Sequence, residues 1–368
     1  MRKIMTDALR MAYTHAARTA EHSILRHPAE SIATTLRKLV ARAESQHADV
    51  YGTGELIETF EHKIAALLGK PAAVFLPSGT LAQPLALKIH SERRGKSTVG
   101  LHPTSHLVLH EQNGYQKLWG LTGKLLGRPR KMLEFDDLAQ LSDYELAAIV
   151  LELPMREIGG QLPSWEDLNQ QVEWARERDI AVHFDGARLW QCPNFYQRSL
   201  AEISALADSV YVSLYKDLGG IAGAVLAGEE DFIAEARIWN RRAGGNLISL
   251  YPYILAAEQG LEENLASVKE AAQYAQELAP LLASIQGVTV NPAKPQAAMF
   301  HLHIAREQQA LIQAVTRYAE QHDVVVLSLP RAYENGVSIC EISLGRNALM
   351  HPPEFWAHHL QACLNLAN

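Results

Sequence analysis

Apolar residues at Leu56, Ile57, Phe60, Ile64, Leu67 and Leu68 recur at the spacing of one helical face, and Gly69 and Pro71 stop the run. The pattern predicts a helix over 55–68. A short continuous apolar stretch of strand length follows at 72–76. The turn Pro77-Ser78-Gly79-Thr80 then leads into a helical pattern over 81–89. The same rhythm continues, with strands expected at 107–109, 147–151, 181–184, 209–214 and 222–226, and a helical stretch over 165–178 between two of them. Alternation of this kind indicates an α/β layered fold with a mostly parallel sheet. Upstream, residues 1–50 read as mainly helical, interrupted at Pro28. After Gly244-Gly245 the texture changes to a long helical region over 253–285. Strands at 288–290, 299–304, 324–327 and 337–344 then interleave with helices at 307–322 and 353–366. The expected division is an N-terminal helical segment, 1–50, a large α/β domain, 51–250, and a smaller C-terminal α+β domain, 251–368.

Size and composition agree with that division. A chain of 368 residues exceeds one ordinary core. Its 48% hydrophobic and 20% charged content is that of a globular protein. The net charge of −7 argues against a nucleic-acid partner, since a surface that tracks phosphates needs excess Lys and Arg. The basic residues near the start, Arg2, Lys3, Arg10, Arg18, Arg37, Lys38 and Arg42, are interrupted by Asp7, Glu21 and Glu30 and read as a solvated helix face. Cys192, Cys340 and Cys363 are widely spaced and odd in number, a poor disulfide framework and no zinc pattern. His301-Leu302-His303 would put two imidazoles on one face of a strand, but no third ligand lies near in sequence, so no metal site is expected. With no apolar run of membrane-spanning length and no signal peptide, the expected compartment is the cytoplasm, with no membrane partner.

The chemistry concentrates between Ile180 and Gly223. One buried run, 180–184, delivers Asp185-Gly186-Ala187-Arg188. A second, 209–215, delivers Lys216 and then Asp217-Leu218-Gly219-Gly220-Ile221-Ala222-Gly223. The two charged residues lie about thirty positions apart, room for a strand, a crossover helix and the next strand. Taken singly, an Asp at a strand end is also an ordinary helix cap, and a Lys after an apolar run is an ordinary solvated lysine. Together they suit pyridoxal phosphate: the carboxylate keeps the pyridine nitrogen protonated and the amine attaches the cofactor. The glycines after Lys216 would let backbone and a large ring approach closely. Ser78-Gly79-Thr80, between strand and helix, supplies hydroxyls and N-terminal N–H groups for a phosphate, although it is also an ordinary capped turn. His106, with Glu111 just beyond, offers a flat ring to stack on pyridine and a group that moves protons near neutral pH.

These segments resemble the threonine aldolase and β-eliminating lyase family of fold-type-I pyridoxal-phosphate enzymes. The resemblance rests on Asp49-Val50-Tyr51-Gly52-Thr53-Gly54-Glu55, Phe75-Leu76-Pro77-Ser78-Gly79-Thr80, Ser105-His106 with Glu111, Gly159-Gly160, Asp185-Gly186-Ala187-Arg188 and Ser213-Leu214-Tyr215-Lys216-Asp217-Leu218-Gly219, in the family's order. It implies a fold-type-I, transferase-like architecture with a large, mostly parallel sheet domain that binds pyridoxal 5'-phosphate. It implies Lys216 as the Schiff-base lysine, Asp185 as the partner of the ring nitrogen, His106 as the stacked ring, Ser78, Gly79 and Thr80 at the phosphate, and Arg188 beside the cofactor. It also implies a homodimer or homotetramer with active sites between subunits.

Departures fall on the substrate side. No Ser-Asp-Thr segment opens the chain. Leu153-Pro154-Met155-Arg156 stands where the family has Asn-Thr-His after the strand's Glu, here Glu152. Tyr215 and Asp217 flank the lysine, Gly244-Gly245-Asn246-Leu247 replaces Gly-Met-Arg-Gln, and the family's C-terminal Arg falls near Ser338. Cofactor residues are therefore kept in type while substrate residues differ. The resemblance implies retro-aldol cleavage of a β-hydroxy-α-amino acid, threonine-like or bulkier, to glycine and an aldehyde. Its alternatives are β-elimination or racemisation of another amino acid, or a non-catalytic protein on the same fold. His106, water held by it, or Glu111 could be the base. Arg156, Arg331 and Arg346 are candidates for the substrate carboxylate, where the chemistry wants fork geometry.

Overall fold

The computed structural model describes residues 7–28, 30–44, 46–141 and 145–366; Arg2 and Lys3 of the basic segment lie outside them. Contacts divide the chain into two compact units. The larger is Ile32–Glu157 with Leu162–Leu265, and the smaller is Met1–Ser31, Ile158–Gln161 and Ala266–Asn368.

Among the described residues the larger unit carries a seven-stranded sheet: β1 (Ala72–Leu76), β2 (Thr98–Leu101), β3 (Thr122–Leu125), β4 (Leu146–Glu152), β5 (Ala181–Gly186), β6 (Ser209–Ser213) and β7 (Ala224–Gly228), in the order β1-β7-β6-β5-β4-β2-β3. Only β7 runs against its neighbours, pairing antiparallel with β1 and β6. Both faces of the central strands are covered: β5 and β6 are buried throughout and β4 is buried up to Glu152. That is why they read as continuous apolar runs rather than alternating ones. The helix Glu55–Leu68 has the expected bounds and stops at Gly69, which takes the left-handed conformation. Its buried Glu61 accepts a hydrogen bond from the Phe75 N–H at 2.7 Å and pairs with Arg237, fastening the helix to β1.

Three expectations change. Residues 107–109 are not a strand but part of the short helix His106–Leu109, because the Val108 and Leu109 N–H groups both turn back to the Ser105 carbonyl. The strands that occupy this side of the sheet, β2 and β3, are four residues each and contain glycine, which hides them from a search for apolar runs. The strand expected at 222–226 starts two residues later because Gly223 has φ +108°.

The smaller unit carries a four-stranded antiparallel sheet: β8 (Val288–Asn291), β9 (Met299–Ile304), β10 (Ala332–Glu334) and β11 (Val337–Ser343), ordered β10-β11-β9-β8. Phe300, Leu302, Cys340, Ile342 and Trp356 centre its core. Of the strand expected at 324–327, only Val324–Val325 forms, pairing parallel with His22–Ser23. Its neighbours Val326 and Leu327 are buried in the core instead of pairing in a ladder. Among the described residues no helix is long and apolar enough to cross a membrane.

Candidate active site

The strands β4, β5 and β6 are parallel neighbours, so their C-terminal ends share one edge of the sheet. Ligands collect at such edges in open α/β folds. In register, Glu152 lies opposite Asp185, and Asp185 opposite Tyr211. A cavity of about 210 Å³ opens there. Its floor holds Glu152, Asp185, Arg188 and Lys216. Gly79, Thr80 and Gln83 form one end, and Thr104, His106, His110, Arg156, Glu157 and Tyr215 the opposite wall.

Lys216 follows β6 by three residues. The Leu214 N–H still pairs with the Gly223 carbonyl, and the chain then turns tightly, the Gly220 N–H returning to the Leu214 carbonyl at 2.9 Å. Burial, and next the Arg188 guanidinium, push the lysine down to about 8 from an ordinary value of 10.5. Its Nζ stands 5.7 Å from the centre of the Tyr215 ring. Asp185 is buried and accepts from the Ala187 N–H at 3.1 Å. Beside it Glu152 takes the Arg156 N–H at 3.0 Å on one oxygen, while the other is buried with no partner among the described residues. Burial, then the neighbouring Asp185 charge, push the Glu152 carboxyl up to about 8. Gly219 takes a positive φ of +73°, while Gly220 and Gly223 have a different task from the one expected. A Cβ at Gly223 would press on Phe75, and one at Gly220 on the Leu214 carbonyl, so these glycines close the loop on its own core.

At the other end, Gly79 and Thr80 open the helix Gly79–Arg94, whose first-turn N–H groups lack partners within the helix. The Ser78 hydroxyl caps that helix, accepting from the Leu81 N–H at 3.2 Å, and is not among the described cavity-lining residues. A Cβ at position 79 would sit 2.0 Å from the Tyr211 hydroxyl, so only glycine lets the helix start this close to β6. Gln83 Oε1 is buried there without a partner among the described residues.

On the wall, His106 Nδ1 meets Glu111 Oε1 at 2.9 Å. The Glu111 side chain is 1% exposed and stands behind the imidazole, not on the cavity. Burial pushes its carboxyl up, against the opposing pull of His106. Sequence reasoning missed His110 and Glu157, which face the same space; His110 Nε2 lies 3.0 Å from Glu157 Oε1. The one signal in the sequence was the i, i+4 spacing of His106 and His110. The side chain of Arg156 lies 3.6 Å from Glu157 and also lines the cavity. Arg331 and Arg346 belong to the smaller unit and are not among the described cavity-lining residues. There Arg331 pairs with Glu341 at 3.1 Å and meets His301 at 3.0 Å.

The sequence profile of β-eliminating lyases matches residues 30–305, three quarters of the chain. The chain belongs to the β-eliminating lyase family. It is 30% identical over 291 residues to the low specificity L-threonine aldolase of Escherichia coli (strain K12), covering 77% of this chain and 84% of that one. Low-specificity L-threonine aldolase 1 of Arabidopsis thaliana is 26% identical over 306 residues, covering 79% and 84%. Among solved structures, a "putative L-allo-threonine aldolase" from Listeria monocytogenes EGD-E superposes with a TM-score of 0.91 at 38% identity, covering 98% of this chain and all of that one. A Leishmania major threonine aldolase shares the fold, with a TM-score of 0.71 at 18% identity. The architecture is that of fold-type-I enzymes, as the sequence led us to expect.

Proposed function

We propose that this family member is a pyridoxal-phosphate-dependent aldehyde-lyase that cleaves a β-hydroxy-α-amino acid to glycine and an aldehyde. The observation that carries the reading is Lys216, a lysine with a depressed pKa of about 8, on the floor of a cavity shared with Asp185 and a helix N-terminus. The donor set fits the cofactor. The open helix start at Gly79 and Thr80 suits a phosphate, the buried Asp185 carboxylate suits a protonated ring nitrogen, and Lys216 provides an amine that is partly neutral near physiological pH. When bound, pyridoxal phosphate accepts the electron pair released from a bond to the substrate's Cα.

The chain's own residues set up that step. Arg188 and burial keep the Lys216 proton labile, so the amine can attach the cofactor and later accept or return protons. His106, held by Glu111, presents its ring to the cavity and serves as the stacking face. Arg156, on the cavity wall, receives the substrate carboxylate; its neighbour Met155 is buried beside Leu133 and Leu168 and is not among the described residues lining this cavity. Asp185 would face the cofactor's protonated ring nitrogen, a buried pair in which loss of one partner strands the other at a cost on the order of several kcal/mol.

We read the assembly as a homodimer or homotetramer with its active sites at subunit interfaces, which sedimentation of the purified protein tests. We read the compartment as the cytoplasm, with support from three buried, unbridged cysteines. The deciding experiment incubates protein and cofactor with a panel of β-hydroxy-α-amino acids and assays glycine and aldehyde. Production of pyruvate and ammonia from serine, without glycine, would replace aldol cleavage with β-elimination.

A further inference from the structure

Two imidazole–carboxylate pairs stand side by side on the cavity wall, and only one has been given a task. His106 is tied through Nδ1 to Glu111, and His110 through Nε2 to Glu157. The rings are 5.1 Å apart between centroids and inclined at 47°. A neutral imidazole that donates to a carboxylate through one nitrogen leaves a lone pair on the other. His106 therefore offers Nε2 and His110 offers Nδ1. His110 Nδ1 has no hydrogen-bond partner among the described residues, and its side chain is 39% exposed in the cavity mouth.

Ring orientation separates the two. If His106 gives its ring face to the cofactor, its own lone pair would be turned along that face and away from a substrate hydroxyl standing off it. A base that meets the hydroxyl needs a ring inclined to the stacked one, and the 47° tilt gives His110 that inclination. We propose that His110, held by Glu157, is the group that takes the proton of the substrate's β-hydroxyl. The O–H bond breaks and an N–H bond forms at Nδ1. The freed O–H pair becomes the second carbonyl bond of the departing aldehyde, and the Cα–Cβ pair would go to the electron sink that pyridoxal phosphate supplies when bound. Glu157 then faces the resulting imidazolium through Oε1, the same oxygen that Arg156 approaches at 3.6 Å. The proton leaves to solvent or returns to the glycine Cα.

The inference rests on the aldehyde-lyase reading, and the test keeps the two apart. Exchange of the glycine α-proton in heavy water needs the cofactor and Lys216 but no β-hydroxyl base. If the wild-type protein neither exchanges glycine nor cleaves any β-hydroxy substrate, the lyase reading fails. If it does both, His110→Phe decides the inference. The expected result is a kcat for cleavage lower by about a hundredfold or more with little change in KM, while glycine exchange and cofactor binding persist. Glu157→Gln should lower kcat less. In nitrogen NMR of the full-length protein, His110 should carry its proton on Nε2, and Glu157→Gln should mix the tautomers. Cleavage by His110→Phe at near wild-type kcat would overturn the proposal. So would parallel loss of cleavage, exchange and cofactor, since His110 would then only hold the wall together. A His110 proton on Nδ1 would overturn it independently of any turnover.

Discussion

The depressed Lys216 pKa makes a thermodynamic prediction that needs no substrate. At pH 7.5 a lysine titrating at 10.5 is neutral in about one molecule in a thousand, whereas one titrating at about 8 is neutral in roughly one in four. The nucleophilic form is thus enriched a few hundredfold, at a cost to the fold. Between pH 8 and 10.5 the unfolded chain holds the proton and the folded chain does not, so stability rises with pH across that window. The full change is about 3 kcal/mol, at no more than about 1.4 kcal/mol per pH unit. Below pH 8 both states are protonated and the whole penalty is present. Lys216→Met removes the titration. Urea unfolding of the cofactor-free protein and of this variant, from pH 7.5 to 10, should give stabilities that converge as pH rises, the variant holding its largest relative advantage near pH 7.5. Parallel curves would mean that Lys216 titrates alike in both states, and the account of its activation would be wrong.

Four further outcomes follow from the site. Gly79→Ala should weaken pyridoxal-phosphate binding at least tenfold by equilibrium dialysis, because its methyl group meets the Tyr211 hydroxyl at 2.0 Å; Tyr211→Leu in the same chain should recover part of the loss. Asp185→Ala should bind the cofactor poorly and lose turnover, and near-normal kcat would remove the ring-nitrogen role. The raised Glu152 carboxyl keeps its proton in the fold after the unfolded chain has lost it, so its contribution is present below about pH 4.5 and lost as pH rises through about 8. Glu152→Gln should flatten stability over that window in urea unfolding carried out from pH 4.5 to 8. Arg156→Lys should raise KM for the amino acid more than it lowers kcat, and Arg156→Ala more strongly still; an unchanged KM in both would leave Arg156 as the partner of Glu157 alone.

The parts legible in the sequence were those set by local pattern. Continuous apolar runs marked β4, β5 and β6 because both their faces are buried, and each run ended on the residue that reaches the cavity. The strands β2 and β3 stayed hidden because Gly100 and Gly123 break short runs, and their strand character comes from pairing with neighbours. His110 and Glu157 stayed hidden for a related reason. His110 caps the short helix His106–Leu109 and Glu157 sits in the 3₁₀ turn Arg156–Ile158, 47 residues on, and only the fold brings them within hydrogen-bond reach. Glu111 was read as facing substrate because sequence order cannot distinguish a side chain in front of an imidazole from one behind it. The resemblance picked out, through contiguous motifs, Gly79, Thr80, His106, Asp185, Arg188 and Lys216, which line one cavity, whereas residues on separate loops carry no contiguous motif.

The strand β6 has a consequence for how this protein can change. Tyr211 in its middle sets how near the helix at Gly79 can come, and the turn that leaves its end carries Lys216. On the proposed reading both cofactor anchors depend on these five residues, whose pairing register is fixed on both sides. A slip of one residue would turn every side chain over and lose both anchors together. Positions 79 and 211 should therefore vary as a pair among relatives, and a mutant library that samples one without the other will return mostly dead clones. The segments holding His110, Arg156 and Glu157 are under no such tie. New substrate preferences are more accessible there, with the cofactor platform inherited whole.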